Sequence, residues 1–311
     1  MRLKEIAILT NIKGLGSANM LKIINYCKAQ NIETLQQLAE IDLTKIVNKK
    51  LADSIYTYLD TNIQNLYNNI ELTLKKYAQN GIGCISVADE KYPTILREST
   101  NPPVLLYYKG NINLLTNDCI ATIGTRENTL IGEKITTKTV EFLVENNFTI
   151  VSGLAKGIDE ISHKTTLQQN GKTIAVLPLI DKIYPSSNKQ LAQDIVDNGG
   201  LLISEMKPNS NFHSSQLVKR DRIQSGLSKA VFVFETSING GSMHATNDSL
   251  KLNRPVFTPD IYSLNYEYQQ LKQIEGIKHL IDTKKSIAYT SNSYDSIITI
   301  LSKTNQQKSL F

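Results

Sequence analysis

Six short runs of apolar and β-branched residues punctuate the chain after residue 82. They are CIATIG (119–124), FTIVSG (148–153), TIAVLP (173–178), LLISE (201–205), AVFVFET (230–236) and PVFT (255–258). Most are separated by segments of helical length. In GEKITTKTVEFLVENN (132–147), Ile135, Val140, Leu143 and Val144 fall on one face. A continuously apolar strand needs cover on both faces. Such strands alternating with amphipathic helices form a parallel sheet with a helical layer on each side. Right-handed crossovers then give an α/β, doubly wound, extended Rossmann-like layer, placed at residues 76–285.

Residues 1–75 read differently, as a small all-helical domain. Ile12, Leu15, Met20, Ile23 and Ile24 recur near helical spacing, and residues 33–59 and 61–80 continue the pattern. The centre of the first segment, Ile12-Lys13-Gly14-Leu15-Gly16, has the form of a helix-hairpin-helix turn. Its N–H groups, at the start of the second helix, either hold a phosphate or belong to a plain helix pair. Residues 286–311 form a short C-terminal segment with no clear winged-helix pattern, and its polar end SKTNQQKSLF reads as frayed.

Composition narrows the setting. Hydrophobic residues are 41% and charged residues 20% of the chain, a globular balance. No apolar run approaches the roughly 18 residues of a membrane span, so no membrane partner is expected. The N-terminus has no signal-peptide pattern, and Cys27, Cys84 and Cys119 lie far apart without metal-ligand spacing. A reducing cytoplasm is the expected location. The net charge of +5 permits an anionic partner, but local placement carries more weight.

In an open parallel sheet, ligands collect where strands end. Three such loops combine small residues with hydroxyls, and two of them add a cation. They are Gly124-Thr125-Arg126, the stretch Ser152-Gly153-Leu154-Ala155-Lys156-Gly157, and Ser237-Ile238-Asn239-Gly240-Gly241-Ser242. One glycine loop can be a turn and nothing more. Three in the same structural slot point to backbone nests for an anion. There is no G-x-G-x-x-G after the first strand and no G-x-x-x-x-G-K-[ST], so neither a dinucleotide nor a P-loop fingerprint is present. The phosphate held belongs to a nucleotide or to a nucleic-acid backbone.

Lys219, Arg220 and Arg222 precede the run AVFVFET. Arginine suits bidentate phosphate contacts. Asp221 or Glu205 is equally placed to pair with one arginine, so one of the two is expected to be structural and the other to face ligand. His163 lies four residues after Asp159 in a helical pattern and reads as a structural histidine bonded to backbone or to Asp159. His213 and His244 have no recognisable partners. No Ser–His–Asp set, metal cluster or carboxylate pair emerges, so no catalytic residue, metal or cofactor is expected.

At this point the motifs carry a family resemblance. KYPTILRESTNPPVLLYYKGN (91–111), IGTRENT, TIVSGLAKGIDEISH, the D-x-x-Y-P-x-x-N segment (Asp181, Tyr184, Pro185, Asn188), KRDRIQSGLSKAVFVFET and GGSMHATNDSLKLNRPVF follow in order. Together they resemble the DNA-processing protein A (DprA/Smf) family over nearly the whole chain. The resemblance implies an extended Rossmann fold behind a small sterile-alpha-motif-like domain. It also implies a non-enzymatic homodimer that binds and protects single-stranded DNA and loads a RecA-type recombinase in recombination and natural transformation. Carried over position by position, Arg126, Ser152, Gly153, Lys156, Arg220, Arg222 and Ser242 are the expected DNA-pocket residues. Gly157, Lys219 and Gly241 stand beside them in the same segments. Departures from the family pattern are Asp221 between the arginines, where the family has asparagine, and Leu217-Val218, where it has Phe-Pro. Phe212 is the nearest substitute ring.

The expected mode is phosphate docking on the nests and cations with little sequence preference. Three to five neutralised phosphates predict a log–log salt slope of roughly −2 to −3.5. The rival reading is a nucleotide sensor or nucleoside-phosphate hydrolase on a related fold. The third loop lacks the Pro, Gly-Thr and Glu of the phosphoribohydrolase pattern P-G-G-x-G-T-x-x-E.

Overall fold

The computed structural model describes residues 1–306, and in it all six apolar runs become strands, with three more beside them. In chain order these are β1 (Gly83–Ser86), β2 (Leu105–Gly110), β3 (Cys119–Ile123), β4 (Thr149–Ser152), β5 (Thr173–Val176), β6 (Leu201–Ser204), β7 (Ala230–Val233), β8 (Val256–Pro259) and β9 (Ile287–Tyr289). They make one sheet in the order β1-β2-β6-β5-β4-β3-β7-β8-β9. From β6 to β9 every neighbouring pair is parallel, while β2 joins β6, and β1 joins β2, antiparallel. This is the expected Rossmann-like layer, extended by an antiparallel edge.

Every residue of β3 to β8 is buried, as a strand covered on both faces requires. Successive side chains serve opposite layers. Ile120, Phe232 and Phe257 pack with Val140 and Leu143 of the helix Leu130–Glu145. Ala121, Val231 and Val256 pack with Ala245 of the helix Ser242–Lys251 and Ile277 of the helix Glu275–Asp282. Phe232 stacks on Phe257 with centroids 4.7 Å apart. Such a pair is worth about 0.5–1.5 kcal/mol beyond its buried area.

Before the sheet come helices Leu3–Leu9, Ser17–Ala29, Leu35–Glu40, Lys49–Leu59 and Ile63–Gln79. Their starts follow capping rules: Thr34 and Gln37 form a reciprocal capping box, and Asn48 accepts from the Leu51 N–H. Ile6, Leu9, Met20, Ile23, Leu35 and Ile55 are fully buried. Their apolar cluster continues without a break through Tyr107, Val176 and Ile203 of the sheet to Ile223 and Leu227.

After residue 285, β9 extends the sheet beside β8, and the helix Tyr294–Gln306 buries Ile297 and Leu301 against the same layer as Phe232. The tail that reads as frayed, 302–311, is helical as far as Gln306; residues 307–311 lie outside the described residues. Among the described residues no helix is long and apolar enough to cross a membrane.

Candidate nucleic-acid interface

β3 and β7 are neighbours, but the chain leaves them in opposite directions, β3 towards β4 and β7 towards β8. That reversal opens a crevice beyond their carboxyl ends, the usual ligand position in such sheets. Here it is a cleft of about 450 Å³. The loop after β3 contributes Gly124, Thr125 and Arg126, and the loop after β7 contributes Ser237, Gly240, Gly241 and Ser242. Helix Ser215–Leu227 closes the side with Leu217, Val218, Arg220, Asp221 and Gln224.

The third loop presents donors. The backbone N–H groups of Gly241 and Ser242 have no protein acceptor among the described residues, and they open the helix Ser242–Lys251 with its positive dipole end. Ser242 Oγ donates to Thr236 Oγ1 at 2.7 Å, fixing the turn. A Cβ on Gly241 would meet nothing within 4 Å, so this glycine borders open space. Arg126 is exposed, and neither it nor Lys156 makes an ion pair among the described residues. Lys156 stands outside the lining, one residue past Ala155, which is part of it.

The second loop lies beneath the cleft rather than on it. Ser152 is fully buried and its hydroxyl donates to the Thr122 carbonyl at 2.6 Å. Gly153 is buried under a guanidinium: a Cβ there would lie 1.3 Å from Arg220 Nη1. Gly157, at φ +76°, turns the loop into the helix Ile158–Gln168 against the Thr125 carbonyl, where a Cβ would come within 2.4 Å. Ser152 and Gly153 are therefore buried beneath the site and offer no surface to a ligand, while the half-buried Gly157 shapes the turn beside it. Asn188, in the D-x-x-Y-P-x-x-N segment, donates to the Leu154 carbonyl at 3.1 Å and holds Leu154 at φ +62°. Such a conformation costs a leucine about 1–2 kcal/mol.

Arg220 forms the floor. It donates to the Val176 carbonyl at 3.0 Å, with Asp221 Oδ1 3.1 Å from Nε and Asp159 Oδ2 3.8 Å from Nη2. Asp159 also accepts from the Gly153 and Ala155 N–H groups at 3.1 and 3.3 Å. Burial raises the pKa of both carboxyls against the pull of Arg220, that of Asp221 to about 7. The buried Gln224 carbonyl oxygen has no hydrogen-bond partner, while its amide donates to Asp221 Oδ1 at 3.1 Å.

Lys219 and Arg222 are not brought to this cleft. On a helix, residues two apart point to different sides. Arg222 instead pairs with Glu205 at 2.6 Å and donates to the carbonyls of Asn101 and Lys219 at 3.0 and 2.7 Å. Both residues line a separate cleft of about 420 Å³ with Gly16 and Ser17 of the N-terminal glycine turn. His163 is structural, but its partner is neither backbone nor Asp159: Nδ1 lies 2.7 Å from Thr173 Oγ1, and burial pushes its pKa down to about 3.

Sequence reasoning missed Gln224 and Glu235; it named Phe212 as a ring but not its partner, the exposed Tyr184, on which it stacks with centroids 4.8 Å apart. Glu235 is fully buried and accepts from the Thr129 N–H at 2.9 Å, from its hydroxyl at 2.6 Å and from the Tyr268 hydroxyl at 3.0 Å, fixing the start of helix Leu130–Glu145. Its place at the end of β7, against a helix beginning with an N-cap threonine, was the available signal. Among the described residues no group of three His, Cys, Asp or Glu side chains is placed to hold a metal ion.

A doubly wound sheet whose switch point carries, among the described residues, backbone donors without acceptors and an arginine without an ion pair defines a Rossmann-like protein with an open cleft at that point. The sequence comparison narrows the class. Residues 83–302 match the family model for DNA recombination-mediator protein A, and the chain belongs to that family. It is 35% identical over 246 residues to the DNA processing protein DprA of Streptococcus pneumoniae, covering 78% of this chain and 82% of that one. The X-ray structure of the Streptococcus pneumoniae protein superposes with a TM-score of 0.78 at 31% identity, over 94% of this chain and 97% of that one. DNA processing protein A of Helicobacter pylori, described with a single-stranded DNA binding mode, has a TM-score of 0.61 at 26% identity, over 70% of this chain and 96% of that one.

Proposed function

We propose that the chain binds single-stranded DNA across the β3/β7 cleft, without catalysing a reaction, and acts in recombination and DNA uptake beside a RecA-type recombinase. The observation that carries this reading is the pairing of two unneutralised cations, Arg126 and Lys156, with the unoccupied N–H groups of Gly241 and Ser242. Phosphodiesters suit such donors because each oxygen takes backbone hydrogen bonds without base readout. The exposed Tyr184–Phe212 pair, two residues from the cleft-lining Ser214, offers a stacking surface worth about 1–3 kcal/mol per base. Two copies associating through the β9 edge, where Ile287 is exposed, would account for a homodimer.

With Arg220 neutralised internally and Arg222 paired to Glu205, Arg126 and Lys156 remain as cations without an ion pair near the cleft among the described residues. They predict a log–log salt slope of about −1.4, shallower than the sequence alone suggests. The test is a titration of oligo-dT against the parent and Arg126→Ala at several salt concentrations, with free nucleotides in parallel. The variant should bind all sequences more weakly, with a slope smaller in magnitude by about 0.7. An unchanged slope, or tighter binding of free nucleotides than of oligo-dT, would reject the reading.

A further inference from the structure

The cleft floor holds more negative than positive charge. One guanidinium, Arg220, serves two carboxylates, Asp159 and Asp221. The two are not equally supported. Asp159 accepts two backbone N–H groups, from Gly153 and Ala155, in addition to the guanidinium. Asp221 has the guanidinium and a single amide donor, Gln224. Hydrogen bonds to the charged form favour it, so a proton shared by this trio resides on Asp221. Asp221 also lines the cleft, where the proposed phosphate would sit.

The surroundings oppose rather than compensate. Arg220 and Gln224 face Asp221 from its own helix, Asp159 from the helix Ile158–Gln168, Arg126 from the loop after β3, and Asp248 from the helix Ser242–Lys251. Glu127 lines the same cleft, and Asp248 is itself paired with Lys251. β5 offers Arg220 only the Val176 carbonyl, and His163, neutral behind it, adds no charge at physiological pH. An anion entering this cleft meets Arg126 on one side and an ionised Asp221 on the other. The repulsion is removed by a single protonation.

We propose that Asp221 decides when the cleft takes an anion, each occupied cleft holding one proton on the Asp221 carboxyl. Deepening the DNA-binding reading, on which it rests, this makes affinity for single-stranded DNA fall as the surroundings become alkaline. The sign follows from linkage. Burial already lifts the Asp221 carboxyl to about 7, and a bound phosphate lifts it further. Between those two values the complex holds a proton that the free protein lacks, so raising the pH drives the anion off. Reciprocity requires that the anion draw in a proton to the same extent.

The probe is oligo-dT without terminal phosphates, since neither thymine nor phosphodiester titrates in this range. Its affinity is measured from mildly acidic to mildly alkaline pH at constant ionic strength, for the parent and for Asp221→Asn. The parent should bind evenly on the acid side and lose up to about tenfold per pH unit on the alkaline side. Asp221→Asn should bind tightly and evenly throughout. A flat parent profile, or a slope that survives in Asp221→Asn, overturns the inference while leaving DNA binding intact. No binding by the parent at any pH overturns the DNA reading, and this inference with it. Should Asp221→Asn fail to fold, calorimetry of the parent at alkaline pH in two buffers of different ionisation heat reads the same quantity. Uptake of close to one proton per bound strand is expected, and uptake of none refutes the coupling.

Discussion

Two glycines of the site predict opposite responses to the same substitution. In Gly153→Ala the added methyl would occupy the space of the Arg220 guanidinium, 1.3 Å from Nη1 and 2.1 Å from Cζ. No small adjustment resolves an overlap of that depth, so the guanidinium must leave. It then loses the Val176 carbonyl and strands Asp159 and Asp221 in the floor without a counter-charge. Breaking a buried pair on one side costs about 3–5 kcal/mol. The displaced side chain has the cleft itself as its nearest free volume and should block oligo-dT. In Gly241→Ala the methyl meets nothing within 4 Å, and the backbone, at φ −57° and ψ −35°, is already helical. Its stability should stay within about 0.5 kcal/mol of the parent. Urea denaturation of both variants, with oligo-dT anisotropy on the same samples, makes the comparison. If Gly153→Ala unfolds within about 1 kcal/mol of the parent and binds DNA equally well, Arg220 does not seat where described.

Arg222→Ala separates structure from binding. Loss of the Glu205 pair and two carbonyl contacts should cost about 2–3 kcal/mol in urea denaturation, with oligo-dT affinity little changed. The reverse pattern would place Arg222 in the DNA site. His163 predicts an acid limb of stability. Its folded pKa, about 3, lies below the unfolded value of about 6.5, so the unfolded chain binds the extra proton. Stability from this group is complete above the unfolded value and is lost at about 1.4 kcal/mol per pH unit as pH falls below it. Replacing His163 by glutamine should flatten that limb in pH-dependent urea titrations, and an unaltered limb would assign it to other groups.

The central strands were legible because burial on both faces leaves little room for polar residues, and the runs 119–124 and 230–236 show it directly. β1 and β9 escaped for the converse reason, while β2 escaped although Leu105, Leu106 and Tyr107 are buried. β9 has only three residues, two of them exposed, and β1 has four with two half-buried. The loops carrying Arg126 and Gly241 follow β3 and β7, as the runs before them indicated, and both line the cleft. What the loops do there depends on orientation. Helix Ser215–Leu227 buries Gln216, Arg220, Gln224 and Ser225 beside Ile223 and Leu227, so polar side chains interrupt its inward face and blur its periodicity. Without that periodicity, the sequence could say that one of Arg220 and Arg222 is structural but not which. Their opposite directions, and the capture of each by a carboxylate, appear only once the helix is in place. Ser152 and Gly153 show the same limit, because a glycine required for packing and one exposed to ligand are written with the same letter.

The unbroken apolar mass from Ile6 to Leu227 ties the N-terminal helices to the wall that seats Arg220. Those helices and Ile223, one turn from the guanidinium, therefore share one continuous apolar surface. A substitution that loosens the first helices removes packing from the same mass that backs the cleft wall.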